Sequence, residues 1–273
     1  MVWGLMWYPY RALQQAGVTG QAATLITYSI ALLVGILLLG KVWRGLRVAG
    51  WWGVGLTLSA GWTNLGYVLA VLDGEVMRVL LLFYLAPLWT VILARLLLGE
   101  RLQLYGYAIM ALSLGGACVM LWQPGTAAML PQNTAEWIGL SAGFCFALTN
   151  VLVRRMQHVS VDFKSASVWF GTALLTAVML LYRGELGSVL HGISAYAWLL
   201  LILLGLLVCA TSFIVQYGLT QLPANQAIIL FLSELVFAAI SSYMLAHEVM
   251  GMREMVGAVL IVSASLLSGK MQH

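Results

Sequence analysis

Charged residues are scarce in this sequence. Only 8% of its 273 residues are charged, whereas 62% are hydrophobic, and a typical soluble domain has about 25% charged residues. A soluble fold of this length cannot bury so much apolar surface. Since about 20 apolar residues cross the hydrocarbon core as a helix, and such stretches follow one another here, the composition predicts an all-α integral membrane protein.

Paired cysteines and catalytic motifs are also lacking. Cys118, Cys145 and Cys209 stand singly in apolar runs, without the spacing or nearby histidines of a metal site. The net charge of +4 comes from Lys and Arg residues that never form a dense block, which argues against a nucleic-acid partner. No phosphate loop, dinucleotide fingerprint or nucleophile and base pair occurs. We therefore expect neither an enzyme nor a bound cofactor.

Hydropathy predicts ten membrane-spanning helices. The first begins at Met1, because the N-terminal segment lacks the basic region and cleavage site of a signal peptide. It is too short to cross unaided, so it either packs against neighbours or begins upstream. The predicted spans are residues 1–15, 22–40, 51–72, 76–98, 104–122, 136–153, 165–182, 195–215, 226–246 and 254–269.

Lys and Arg residues are concentrated on one side of these spans, which predicts the orientation because basic loops resist translocation. Both termini should be cytoplasmic, most simply in a bacterial inner membrane. The linker Gln123–Ala135 then lies outside. It separates two predicted halves, 1–122 and 136–273. The residues assigned to the inner side are Lys41, Arg44, Arg47, Arg95, Arg101, Arg154, Arg155, Lys164 and Lys270, against Arg183 and Arg253 on the outer side.

A weak internal repeat links the halves. The run from Leu82 to Glu100 recurs from Leu230 to Glu248 at a spacing of 148 residues, and it places Ala86 opposite Glu234. Because each half has an odd number of spans, the two halves should insert in opposite orientations, as inverted repeats do.

At these repeated helices the chain resembles the EamA-type branch of the drug/metabolite transporter superfamily, whose pattern is written LEPVFxxLLxxLLLGE. The first copy reads Leu85-Ala86-Pro87-Leu88-Trp89 to Leu98-Gly99-Glu100-Arg101, and the second reads Ser233-Glu234-Leu235-Val236-Phe237 to His247-Glu248. The first half has lost the acidic residue and the second half the proline.

The resemblance implies a ten-helix fold in which helices one to four and six to nine surround a central cavity. It also implies a secondary carrier, often an exporter of amino acids or other metabolites. We therefore expect a small-molecule substrate and contacts with membrane lipid, while coupling to protons and a homodimer are left open. The alternatives are a sugar-phosphate or nucleotide-sugar carrier of the same superfamily, for which Arg78 is the one candidate cation of the cavity, and a membrane scaffold that transports nothing.

Glu234 is the acidic side chain that lies well inside a predicted span. A carboxylate there is costly unless it is protonated, paired or facing water, so a proton or cation site is the first hypothesis. A neutral acid that bonds a neighbouring helix is the structural alternative. Other polar or aromatic residues within spans are candidates to line a substrate pocket, although hydrogen bonding between helices also explains them. They are Trp62, Asn64, Tyr67, Arg78, Tyr84, Asn150, Gln216 and Tyr217.

Proline and glycine mark special points in three spans. Pro9 and Pro87 each remove a backbone donor, which predicts a kink or a hinge. Gly139 and Gly143 are spaced as in the GxxxG pattern, which indicates close packing of the sixth span against another helix.

Overall fold

The computed structural model describes residues 7–38, 42–74, 76–121, 131–246 and 251–268, and within these ranges the regular structure is helical. This confirms the all-α prediction. The α-helices are α1 (Trp7–Gln15), α2 (Gly20–Leu38), α3 (Val42–Asp73), α4 (Val76–Phe83), α5 (Ala86–Leu97), α6 (Leu104–Leu121), α7 (Thr134–Arg155), α8 (Val161–Tyr182), α9 (Ala195–Gln221), α10 (Ala224–Ala246) and α11 (Met252–Ser268), with a short 3₁₀ turn at Leu186–Ser188.

Five stretches in the described ranges are long and apolar enough to cross a membrane: Gly20–Leu38, Arg47–Val71, Thr134–Arg155, Val161–Tyr182 and Ala195–Gln221. Shorter apolar helices cover Ala86–Leu97, Leu104–Met120, Ala224–Phe237 and Met255–Ser268. The helices thus coincide with the predicted spans, whereas the number of spans and the inverted orientation of the halves stay predictions.

Helix α3 begins earlier than predicted. The segment before residue 51 was expected to be a basic loop, but it is helical from Val42 and bends at Gly50, where φ is 52°. Glycine tolerates that backbone conformation without a Cβ clash. Gly45 and Ala49 are buried one turn apart, and a Cβ on Gly45 would overlap Phe163. This apolar face explains why the segment folds as a helix despite its charges.

The fourth predicted span is interrupted. Helix α4 ends at Phe83 and α5 begins at Ala86, with Pro87 in its first turn. Proline lacks the N–H that would bond the carbonyl of Phe83, four residues earlier, so the predicted break occurs here. In the second half Leu235 stands at the equivalent position, and α10 runs unbroken from Ala224 to Ala246. Pro9 is the third residue of α1, and the residues before Trp7 lie outside the described part of the chain.

Helix boundaries recur at the spacing of the sequence repeat. Helices α4 and α10 begin at Val76 and Ala224, and α6 and α11 begin at Leu104 and Met252. Each pair is separated by 148 positions, as are the ends of α3 and α9 at Asp73 and Gln221. The repeat is therefore visible in the helix boundaries as well as in the matched residues.

The chain forms two compact units. Unit 1 contains the described residues of Leu69–Val151 and Leu222–His273, and unit 2 contains those of Trp7–Val68 and Leu152–Gln221. Each unit therefore draws helices from both predicted halves.

Unit 1 is built around α10 and the closely packed pair α6 and α11. A Cβ on Gly116 would lie 2.9 Å from the carbonyl oxygen of Gly257, so the two backbones nearly touch. Ile228 and Ile229 of α10 are buried with Met110 of α6.

Unit 2 is built around α8, which packs on α2, α3 and α9. Trp169 of α8 is fully buried, and its ring covers Gly35 of α2. A Cβ on Gly171 would overlap the carbonyl oxygen of Thr57, so α3 and α8 approach as closely as two backbones can. Glycine at these contacts is typical of helix packing in membranes, where small residues let backbones meet.

Candidate functional site

Glu234 lies near the middle of α10 in unit 1, and its side chain is partly buried. Phe231 precedes it by three positions, which places the two side chains on the same face of the helix. The next residue, Leu235, is buried in a hydrophobic cluster that Tyr84 packs against. Unit 1 thus brings the predicted site residues Glu234 and Tyr84 to the same region.

A row of aromatic rings lies beside this face. The ring centroid of Phe146 on α7 lies 5.2 Å from that of Phe231 and 5.5 Å from that of Phe83. The rings of Tyr84 and Phe83 meet edge to face, with their centroids 5.5 Å apart. These separations are those of favourable aromatic pairs. Phe83 and Phe231 are equivalent positions of the repeat, so Phe146 joins the two repeated helices.

Two further predicted residues belong to unit 1. Asn150 on α7 is 1% exposed, and its amide nitrogen Nδ2 has no hydrogen-bond acceptor within the described part of the chain. A buried amide donor without a partner costs free energy, so Asn150 is suited to receive a polar group. The side chain of Arg78 lies outside the described structure.

The predicted residue Asn64 in unit 2 joins three helices. Its Oδ1 accepts a 2.8 Å hydrogen bond from the hydroxyl of Tyr28 on α2, and its Nδ2 donates to the carbonyl of Ala60 at 2.9 Å and to Thr172 Oγ1 on α8 at 3.2 Å. Tyr28 and Thr172 are buried. This geometry is that of the interhelical hydrogen bonding considered above as the alternative to substrate binding.

The other predicted residues of unit 2 differ in exposure. Trp62 is partly buried, whereas Tyr67 and Tyr217 are 36% and 58% exposed. Gln216 is buried, and its Oε1 accepts no hydrogen bond from the described residues. The nine predicted residues therefore divide between the two units.

Lys164 lies within a helix and not in the loop before it. It was assigned to a loop before a span beginning at residue 165, but α8 begins at Val161 and Lys164 is fully buried in its first turn. Ser160 caps this helix by accepting a hydrogen bond from the backbone N–H of Phe163. A serine just before an apolar run is a signal of a helix start, and it was the clue available in the sequence.

Two basic side chains meet the C-terminal end of α9. Lys164 Nζ donates a 2.9 Å hydrogen bond to Thr220 Oγ1, and a guanidinium nitrogen of Arg154 donates a 2.8 Å bond to the backbone carbonyl of Thr220. Carbonyls in the last turn of a helix have no partner within that helix, and cations are favourable there. The same contacts bring two positive charges to one buried threonine.

Glu100, the last residue of the repeated motif, contacts the start of α10. Its Oε1 accepts a 3.5 Å bond from the backbone N–H of Ala224, and its Oε2 accepts a 3.3 Å bond from Asn225 Nδ2. A carboxylate at a helix N-terminus is stabilising. The acidic residue at the end of the first motif copy therefore serves as a cap for helix α10.

An apolar groove of about 460 Å³ lies in unit 2 between α2, α9 and the segment around the 3₁₀ turn. Its lining includes Ile26, Leu33, Val189, Leu190 and Trp198, and none of the predicted site residues. The described residues contain no group of three His, Cys, Asp or Glu side chains that could hold a metal ion.

Long apolar helices with backbones in contact at glycines are typical of an integral membrane protein. The profile of the EamA-like transporter family matches residues 133–269, just over half of the chain. The chain belongs to this family of transporters, within the drug/metabolite transporter superfamily, as its motifs indicated.

Two proteins similar to this chain can be compared with it. An uncharacterized transporter of Archaeoglobus fulgidus is 26% identical over 221 residues, which cover 79% of this chain and 75% of the relative. A protein of known crystal structure has a TM-score of 0.76 at 20% identity, covering 99% of this chain and 96% of its own. The second comparison concerns the fold alone.

Proposed function

We propose that this transporter exports small organic metabolites with an apolar or aromatic part, such as amino acids, and that Glu234 couples transport to protons. The observation that carries the proposal is the position of Glu234 in the middle of α10, one turn from Phe231. The aromatic rings of Phe231, Phe146 and Phe83 supply a surface on which a flat apolar group can stack.

A carboxylate at this depth supports proton coupling for an energetic reason. An ionised side chain near the middle of a membrane helix costs about 2.5 to 3.5 kcal/mol on insertion scales. Protonation removes this cost, and so does a cationic group of the substrate. A proton and a substrate amine therefore compete for Glu234, and binding of one favours release of the other.

We further propose that the protein lies in a bacterial inner membrane with both termini in the cytoplasm. Basic residues at helix ends support this orientation, with Arg95 in the last turn of α5 and Arg154 and Arg155 in the last turn of α7. The substrate is then taken from the cytoplasm, and the proton enters from outside.

Counterflow and pH-driven flux of labelled L-phenylalanine in proteoliposomes test the proposal. The Glu234→Gln variant keeps the shape of the side chain but fixes it neutral. It should retain counterflow and lose at least 90% of the flux that a pH gradient drives, because no proton can leave the side chain. Glu185→Gln, at an exposed loop position, is the matched control and should behave as wild type.

Two outcomes would refute the coupling. One is a wild-type flux that ignores the pH gradient. The other is an undiminished pH-driven flux in Glu234→Gln. Absence of aromatic amino-acid counterflow in the wild type would instead refute the proposed substrate class.

A further inference from the structure

The ammonium group of Lys164 is buried in unit 2 with few partners. The side chain has 0% exposure, and its one hydrogen bond in the described structure joins Nζ to Thr220 Oγ1. An ammonium group carries three donors. No carboxylate among the described residues pairs with it, so two donors are left for another group.

This burial is not imposed by the position of Lys164 in the chain. A lysine in the first turn of a membrane helix can extend its long stem toward water, as lysines near helix ends do. Here the side chain turns toward α9 and approaches the threonine that Arg154 also contacts. Capping one helix end does not require two cations, because one donor satisfies the Thr220 carbonyl.

Other polar atoms continue from this point along α9. Gln216 and Ser212 precede Thr220 at steps of four residues, so the three side chains follow one stripe of the helix. Gln216 Oε1, Ser212 Oγ and the neighbouring Ser165 Oγ are buried without a hydrogen-bond partner in the described structure. Buried polar atoms normally have partners, so this stripe is suited to a polar ligand.

We propose that Lys164, with Arg154 beside it, binds the carboxylate group of the transported metabolite. The inference rests on the proposed function and adds to it a negative charge on the substrate. One ammonium and one guanidinium form charge-assisted hydrogen bonds with a carboxylate. A neutral polar ligand does not explain two cations at one site, and one ammonium with one guanidinium matches the single negative charge of a carboxylate.

Thermal unfolding of the purified protein in detergent tests this site with simple probes. Benzoate carries the carboxylate on an aromatic ring, and benzamide is its neutral counterpart. Benzoate at equal sodium concentration should raise the melting temperature of the wild type, and benzamide should not. Lys164→Met should weaken the apparent affinity for benzoate at least tenfold, whereas Lys164→Arg should retain most of it.

Thr220→Val is the control for a purely structural effect at the C-terminal end of α9. It removes the hydroxyl that accepts from Lys164 and leaves the charge in place, so the response to benzoate should persist. Equal responses of the wild type to benzoate and benzamide would overturn the proposal, even if Lys164→Met failed to fold. A larger response to inorganic phosphate than to benzoate would overturn it too. Binding is measured without a membrane or a gradient, so this result is independent of whether Glu234 couples transport to protons.

Discussion

Gly143 of α7 packs directly against the carbonyl of Phe83, at the point where α4 ends. A Cβ at Gly143 would lie 2.9 Å from Phe83 Cα and would overlap the carbonyl oxygen. The predicted GxxxG packing is thereby confirmed, since Gly139 in the same pattern faces Val79 of α4.

Gly143→Ala should therefore destabilise the protein. The added methyl group must push α7 away from the break, and such overpacking typically costs about 1 to 3 kcal/mol. Thermal unfolding in detergent measures the loss. Gly115→Ala in α6 is the control, because a Cβ there has nothing within 4 Å. Equal melting temperatures for the two variants would show that α7 can shift freely.

The hydrogen bond between Tyr28 and Asn64 should be detectable as coupling in a double-mutant cycle. Tyr28→Phe and Asn64→Leu should show a coupling free energy of about 0.6 kcal/mol, and no more than about 1.7 kcal/mol, as measured for other membrane helices. Tyr182→Phe, at a side chain that is 92% exposed, should show none with Asn64→Leu. If Asn64→Leu abolishes transport while stability is unchanged, Asn64 contacts the substrate as the sequence suggested.

Glu100 and Glu248 should be equivalent caps. Glu100 lies at the start of α10, and the repeat predicts that Glu248, outside the described residues, serves the start of α4 at Val76 in the same way. Glu100→Ala and Glu248→Ala should each lower the free energy of unfolding by about 1 kcal/mol, the usual value of a helix cap. Glu185→Ala is the exposed control. If Glu100→Ala lowers the free energy of unfolding and Glu248→Ala does not, the helix cap exists in the first half only.

The orientation can be tested with an impermeant thiol reagent. Thr126 belongs to the predicted outer loop, which lies outside the described residues, and Thr126→Cys should react in intact cells because basic loops stay in the cytoplasm. His158→Cys, at an exposed position between α7 and α8, should react only after permeabilisation. The native cysteines are replaced beforehand. The reverse pattern of labelling would mean that the topology is inverted.

The sequence predicted the helices well because hydropathy and proline act locally. The helix breaks before Pro87 because proline lacks an N–H, and α10 continues through Leu235 because leucine has one. The helix before Gly50 was missed because its basic residues resemble a loop, and the contact that holds it comes from Phe163, far along the chain.

Side-chain direction was less predictable. Asn64 was singled out as a polar residue within a span, but its partners Tyr28 and Thr172 come from two other helices. Lys164 was counted as a loop cation because charge and sequence position alone do not say whether a long stem turns toward water or toward a neighbouring helix. Only the packing of α8 on α9 decides this.

The helix break between Phe83 and Ala86 also bears on how the fourth span is rotated about its own axis. Pro87 supplies no N–H to the carbonyl of Phe83, and hydrocarbon supplies no donor either, so this side of the span must face protein. Gly143 occupies it. Leu88, Ile92 and Leu96, at steps of four residues along α5, are 47%, 49% and 74% exposed. That exposed apolar stripe is therefore the side of the span suited to contact with lipid chains.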